Sequence, residues 1–291
     1  MKLVISAEED GILLSELLKK RLRLSTRAIK RLKYREEGLR VNGSRVTVRY
    51  MLHRGDVLNL DISDTDGSII PSDLAVDVIY SDSCITIADK PPFMPTHPVH
   101  GHLDDTLANA LAYRSGEENF VFRPLNRLDR NTSGIVVCSN DFVSSGRLSR
   151  QMTSGQVKKT YLAIVSGVPD PPSGRIDAPI ERAGEGTLMR IVGENGESAM
   201  TDYRVLRVSG DGSMSLVKLM PLTGRTHQIR VHMAHIGCPL LGDFMYGREC
   251  DEIGRHALHA CRMEFFHPLD GRKMIFCSAL PRDMADVLEK F

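Results

Sequence analysis

Nowhere in the 291-residue chain do about 18 apolar residues follow one another, which removes a membrane-spanning helix from consideration. The opening MKLVISAEEDG lacks the apolar core of a secretory leader, so a cytoplasmic location is expected. Paired-cysteine spacing is missing too. The six cysteines stand at 84, 138, 238, 250, 261 and 277 without a CxxC, and Cys138 lies inside the apolar GIVVCS. Buried, reduced thiols are therefore expected rather than a disulfide frame or a zinc site. No HExxH, nucleotide-binding motif or internal repeat occurs, and neither metal nor cofactor is expected. The net charge is only +1, so the overall balance selects no partner.

What is present is the composition of a folded protein, 42% hydrophobic and 26% charged. The length suits one large domain or two smaller ones. Charge is placed unevenly. Residues 1–62 hold 14 Lys and Arg against 8 Asp and Glu, and residues 15–49 hold 12 against 3. A basic patch on a small N-terminal unit suggests a polyanionic partner.

LLSELLKKRLRLSTRAIKRLKYREEG reads as two short helices, the first carrying Leu14, Leu17, Leu18 and Leu22 at helical spacing. Ser25 is the expected N-cap of the second helix and Gly38 its stop. Ala28, Ile29 and Leu32 then face inward, leaving Arg27, Lys30, Arg31 and Tyr34 outward. LRVNGSRVTV reads as a hairpin turning at Asn42-Gly43, and GDVLNLDI as a further strand. This helix-turn-helix-hairpin pattern, across residues 11–62, resembles the S4-type RNA-binding domain. The resemblance implies that Arg27, Lys30, Arg31 and Tyr34 meet RNA.

The polar SDTDGSIIPSD, residues 63–73, reads as a linker, which sets the expected domains at 1–62 and 74–291. In the larger region LAVDVIY and CITIADK read as paired strands, and PPFMPTHPVHGH as a loop rich in proline and histidine. TLANALAYR and DFVSSGRLSRQM read as helices; GIVVCS, TYLAIVSG, AMTDYRVLRV and MSLVKLMPL read as strands. Strands and helices that do not alternate regularly predict an α+β fold rather than a doubly wound sheet.

Three stretches hold residues able to do chemistry. In NRLDRNTSG, Asp129 stands between Arg127 and Arg130 at the mouth of the apolar GIVVCS. Extended residues alternate faces, so Arg127 and Asp129 share a side while Leu128 packs inward. Taken alone, a loop salt bridge would account for this segment. In KKTYLAIVSG, Tyr161 opens an alternating strand. In LTGRTHQIRVHMAHIGCPLLGDFMYG, Thr226 or Gly224 opens a helix that Gly237 ends, with Ile229, Met233 and Ile236 on its apolar face. Arg230 beside that face can hold a carboxylate with its planar fork. His227, His232 and His235 share no single helical stripe, and hydrogen-bonding roles are expected of them rather than metal ligation.

Together the three stretches resemble the RluA-type pseudouridine synthases, which isomerise uridine in RNA. NRLDRNTSG is similar to the family's segment around its catalytic aspartate, with Asn126 where many members have His. KTYLAIVSG resembles the second segment, and TGRTHQIRVHMAHIGCPLLGD with its following YG resembles the longest signature. IADKPPFMPTHP resembles the proline loop, with Phe93 at a position usually glycine, and LHACRMEFFHP supports the match near the end. The resemblance spans residues 74–280 in family order, and an S4-like domain in front is a common family arrangement.

The resemblance implies a mixed, largely antiparallel catalytic sheet and a reaction that needs no cofactor. It implies that Asp129 is the essential carboxylate, Tyr161 packs against uracil, and Arg230 pairs with Asp129. A nearby arginine favours the ionised carboxylate. Arg127 is the residue to fill the space of a flipped uridine or else a second ion-pair partner; Arg225 and His227 contact phosphate or order the site. Ribosomal RNA is favoured over transfer RNA as substrate, and a monomer is the default. Two other classes remain open on sequence: a noncatalytic S4-type RNA-binding or ribosome-assembly factor, and a metal-dependent hydrolase built on the histidines.

Overall fold

The computed structural model describes residues 1–22, 24–62 and 67–291. Residues 63–66 of the expected linker lie outside the described residues.

A small antiparallel sheet comes first: β1 (Lys2–Val4), β2 (Leu39–Val41), β3 (Ser44–Arg45) and β4 (Val57–Leu60), in the order β1-β4-β2-β3. Its hairpin turns at Asn42 and Gly43, whose φ values of 51° and 81° are the left-handed pair that the Asn-Gly signal predicts. The expected first helix is α-helical only over α1 (Leu14–Glu16) and continues as a wider π turn, Leu17–Arg21. Leu14, Leu17, Leu18 and Leu22 are all buried in one core with Ala28, Ile29 and Leu32 of α2 (Thr26–Tyr34). Ser25 caps α2 as expected, its hydroxyl accepting from the Ala28 N–H at 3.1 Å. Gly38 does not end this helix. The chain is already extended at Arg35, and Gly38 serves instead to fold back under the helix, where a Cβ would collide with the Leu32 carbonyl.

The larger sheet has nine strands among the described residues. They are β5 (Asp77–Ser81), β6 (Ile85–Lys90), β7 (Ser133–Ser139), β8 (Lys158–Ser166), β9 (Ser173–Asp177), and, after a separate hairpin of β10 (Ile180–Arg182) and β11 (Arg190–Val192), β12 (Met200–Val208), β13 (Met214–Pro221), β14 (Leu258–Phe266) and β15 (Lys273–Cys277). The order is β5-β6-β7-β14-β8-β13-β12-β9, with β15 also on β14. Only β7 and β14 run parallel; every other pair is antiparallel, so the α+β expectation holds.

β7 explains the uninterrupted apolar run GIVVCS, because helices cover both faces of the sheet there. Val136 and Cys138 pack with Leu107 and Leu111 of α3 (Leu107–Ser115) and with Ile229 and Met233 of α5 (Gln228–His235). Ile135 and Val137 face the other way, onto Leu148 of α4 (Phe142–Thr153). The chain closes with α6 (Arg282–Leu288). Cys84, Cys138 and Cys238 are buried thiols as expected, whereas Cys277 is exposed.

The start of α4 also joins the two sheets' cores. Val143 is buried among the leucines of the N-terminal core, and the Arg147 guanidinium donates to the Leu22 carbonyl at 2.8 and 3.1 Å and to that of Pro268 at 2.6 Å. Arg31 belongs to this seam. Its guanidinium lies 4.9 Å from the Phe142 ring centre, so it is half-buried rather than fully outward as expected. No helix among the described residues is long and apolar enough to cross a membrane.

Candidate active site

The turn that carries Asp129 is fixed from three directions. On its N-terminal side Asn126 stands in for a strand partner: its carboxamide donates to the Ile135 carbonyl at 2.9 Å and accepts from the Val137 N–H at 3.0 Å. The Thr96 hydroxyl does the same for Leu128, donating to its carbonyl at 2.7 Å and accepting from its N–H at 3.1 Å. The Thr132 N–H closes the turn on the Asp129 carbonyl at 3.0 Å. Beyond it Gly134, at φ 111°, lets β7 approach β14 so closely that a Cβ would strike the Ala260 backbone.

The third support comes from the far end of the chain. Arg255 donates to the Asn131 carbonyl at 2.9 Å and is held by Asp283 of α6 at 2.6 and 3.0 Å. His256 Nε2 lies 2.8 Å from the Thr132 hydroxyl, and His259 Nδ1 lies 3.0 Å from that of Ser133. Burial, reinforced by the Arg230 charge, pushes the His256 imidazole down to about 4, so it is neutral here.

Asp129 itself is partly open, its side chain 29% exposed. Its Oδ2 accepts from Arg230 Nη1 at 3.2 Å. Arg230 projects from α5 into a buried position and is clamped by Asp243, which receives Nε and Nη2 at 2.7 Å each. Burial opposes both charges, but this two-bond fork prevails: the Asp243 carboxyl lies below its ordinary range and the Arg230 guanidinium above its own. The Tyr246 ring stands 5.0 Å from that guanidinium.

His227 occupies a left-handed conformation, φ 57°, at the entrance to α5, so the helix begins later than Thr226 or Gly224. Its Nδ1 meets the Tyr246 hydroxyl at 2.8 Å, and its Nε2 is 3.8 Å from Asp129 Oδ2, too far for a hydrogen bond. Burial lowers its affinity for a proton against the pull of Asp129. Tyr161 lies buried on β8, and burial together with the Asp129 charge raises its phenol above the usual tyrosine value. That phenol therefore stays protonated at neutral pH.

Residues 85–235 match the family described as RNA pseudouridylate synthase. The chain belongs to that family. It is 35% identical over 272 residues to "Uncharacterized RNA pseudouridine synthase YjbO" of Bacillus subtilis (strain 168), covering 92% of this chain and 95% of that protein. It is 37% identical over 262 residues to "Ribosomal large subunit pseudouridine synthase D" of Pseudomonas aeruginosa, covering 84% of this chain and 81% of the relative. Among solved structures it is similar to "Human RNA Pseudouridylate Synthase Domain Containing 4", at a TM-score of 0.59 and 26% identity, over 73% of this chain and 92% of that one. The chain is thus an RNA pseudouridine synthase of the RluA type, an isomerase. Its N-terminal antiparallel sheet is consistent with an S4-like domain.

Within this synthase, Arg230 and His227 converge on Asp129, whose charge also reaches the Tyr161 phenol; the remaining candidate residues make other contacts or none. Arg127 is exposed and has no hydrogen-bond or ion-pair partner among the described residues. Arg225 is occupied by Glu197 and by the Ser198 carbonyl, the latter at 3.1 Å. Arg27, Lys30 and Tyr34 are exposed on α2. His232 holds Thr201 and the Ala178 carbonyl at 2.9 and 3.0 Å, and His235 is exposed. The His/Cys/Asp group found among the described residues, Asp82, Cys84 and His267, sits at the β5–β6 turn, where both Asp82 oxygens already accept hydrogen bonds.

Four residues beyond the sequence-predicted set complete the site. Asp243 and Tyr246 lie in the quoted GD and YG of the longest motif, yet nothing in their spacing shows that they grip Arg230. Lys90 is fully buried, and its ammonium reaches the carbonyls of Pro91, Met94 and Arg130 at 2.8, 2.7 and 3.2 Å. Burial lowers it to about 7. His256 is the fourth, and its distance along the chain from Thr132 hides it.

Proposed function

We propose that the enzyme converts uridines of ribosomal RNA to pseudouridine with Asp129 as the catalytic carboxylate. The carrying observation is the 3.2 Å bond from Arg230 Nη1 to Asp129 Oδ2, made by a guanidinium whose other edge Asp243 already holds. The isomerisation breaks the N1–C1′ bond and joins C5 to C1′; C5 loses a proton and N1 gains one, so nothing is oxidised or consumed. A carboxylate aimed by a fixed cation can supply the nucleophile at C1′ or the base at C2′. Tyr161, protonated and buried, offers its ring to the uracil and its hydroxyl to the proton transfer at C5.

A stacked uridine is out of reach, so the base must flip out at a cost of roughly a few kcal/mol. Arg127 is assigned to fill the vacated space, a role supported by its exposure two residues before Asp129. Arg225 and His227 are assigned to phosphate contact or to ordering the site, and Arg27, Lys30, Arg31 and Tyr34 of the N-terminal unit extend the grip on RNA. Domains of 1–62 and 74–291 joined by residues 63–73 suit this division of labour, in a cytoplasmic monomer. Ribosomal RNA is supported by the Pseudomonas aeruginosa relative, whose name gives the large ribosomal subunit as its substrate.

Pseudouridine mapped on unmodified ribosomal and transfer RNA, with wild type beside Asp129→Ala, tests this reading. Wild type should convert discrete ribosomal uridines and the variant none. Conversion retained by Asp129→Ala would overturn the assignment of the carboxylate; conversion of transfer RNA alone would overturn the assignment of the substrate.

A further inference from the structure

Phe93 combines a backbone conformation that bulky residues avoid with a side chain that the protein does not use. Its φ is +66°, in the left-handed region that favours glycine. Among the described residues, the other two non-glycine residues with positive φ have local reasons: Asn42 forms a hairpin turn, and His227 is half-buried and hydrogen-bonded. Burial does not compensate Phe93. Half its surface (51%) is exposed, and it belongs to no hydrophobic cluster among the described residues.

The surroundings force this conformation. Lys90 Nζ gathers the carbonyls of Pro91 and Met94 onto one ammonium at 2.8 and 2.7 Å, so the two residues between them must loop outward. Arg130 Nε then takes the carbonyl of Phe93 itself at 3.1 Å, while Lys90 also reaches the carbonyl of Arg130 at 3.2 Å. The loop is thereby stitched to the residue that follows Asp129. Arg130 is exposed, so its guanidinium offers the phosphates of a nucleic acid a positive charge next to this loop. A strained, exposed residue joined to the Asp129 turn is grounds for assigning it a function.

We propose that Phe93 is a stacking platform for an RNA base next to the uridine undergoing isomerisation. The inference rests on the reading that Asp129 acts on uridine in RNA. A flipped nucleotide leaves its neighbours unstacked, and single-stranded RNA bases settle on exposed aromatic rings whatever their identity.

The chain contains no tryptophan, so Phe93→Trp installs a single indole at the site. With an unmodified large-subunit ribosomal RNA transcript as probe, fluorescence of that indole should be quenched as RNA binds. Phe93→Gly should raise KM about 5- to 150-fold, which is ~1–3 kcal/mol at 1.4 kcal/mol per decade. That loss should fall on KM more than on kcat, without lowering the unfolding temperature, because glycine relieves the backbone. Phe93→Tyr should restore KM to within about threefold, since it keeps the ring. An unquenched indole on RNA shown by mobility shift to be bound, or a wild-type KM in Phe93→Gly, overturns the proposal. Quenching needs no turnover, so a wild type that converts no uridine would overturn the functional reading while the fluorescence still decides the stacking contact.

Discussion

Asp243 aims Arg230: two parallel hydrogen bonds of 2.7 Å hold Nε and Nη2, leaving Nη1 directed at Asp129. The side chain of Asp243 is wholly buried and that of Arg230 nearly so, at 0% and 4% exposure. In such surroundings the fork cannot be replaced by water. The orientation of Asp129, the proposed catalytic carboxylate, thus depends on a residue that need not touch substrate.

Asp243→Asn keeps the volume but turns one acceptor oxygen into a donor facing other donors. The guanidinium is left buried with half its anchorage. Breaking a buried pair from one side costs about 3–5 kcal/mol, so the unfolding temperature should fall clearly. Single-turnover conversion should slow by about 10²-fold, the typical effect of a small misplacement in a reacting group. An unchanged rate would mean that Arg230 is aligned without Asp243.

Tyr161→Phe tests the hydroxyl apart from the ring. The phenol has no hydrogen-bond partner among the described residues, so its removal breaks no internal bond. Stability should stay within about 0.5–1 kcal/mol of wild type. If the hydroxyl relays the C5 proton, kcat should drop by about 10²–10⁴-fold with little change in KM. Full activity in the variant would reduce the role of Tyr161 to packing. Thermal unfolding and steady-state conversion on the same preparations separate these outcomes.

Local signals carried much of this fold, and distance along the chain hid the rest. The Ser25 cap, the Asn42-Gly43 turn and the continuous burial of β7 are written in adjacent residues, so each was legible. The break of the first helix into a π turn was not, because four leucines at near-helical spacing look the same either way. Asp129 and Arg230 stood out through their motifs, although they are 101 residues apart and only the folded chain brings them to 3.2 Å. Lys90 looked like one basic residue among many. Its role comes from three carbonyls, one of them 40 residues away, that no spacing rule connects. The histidines show the limit from the other side: His227, His232 and His256 all hydrogen-bond hydroxyl groups, but only coordinates reveal which ones.

The support behind the Asp129 turn should make the protein sensitive to mild acid. His256 is 1% exposed and its Nδ1 has no partner among the described residues, so a second ring proton would bring a donor with none of them to receive it. Burial and the Arg230 charge hold the folded imidazole down to about 4 from the usual 6.5. Between these values the unfolded chain binds the extra proton and the folded one does not. Stability therefore rises with pH across the window and is lost as pH falls from 6.5 towards 4. The full effect of this one group is on the order of 3 kcal/mol. His256→Gln keeps an amide to meet the Thr132 hydroxyl but cannot titrate, so its urea-unfolding free energy should decline less from pH 7 to pH 4. The imidazoles of His227, His232 and His259 are also lowered and occur in both proteins, so the difference between the two curves isolates His256. Parallel curves would show that His256 gains its proton without disturbing the turn that carries Asp129.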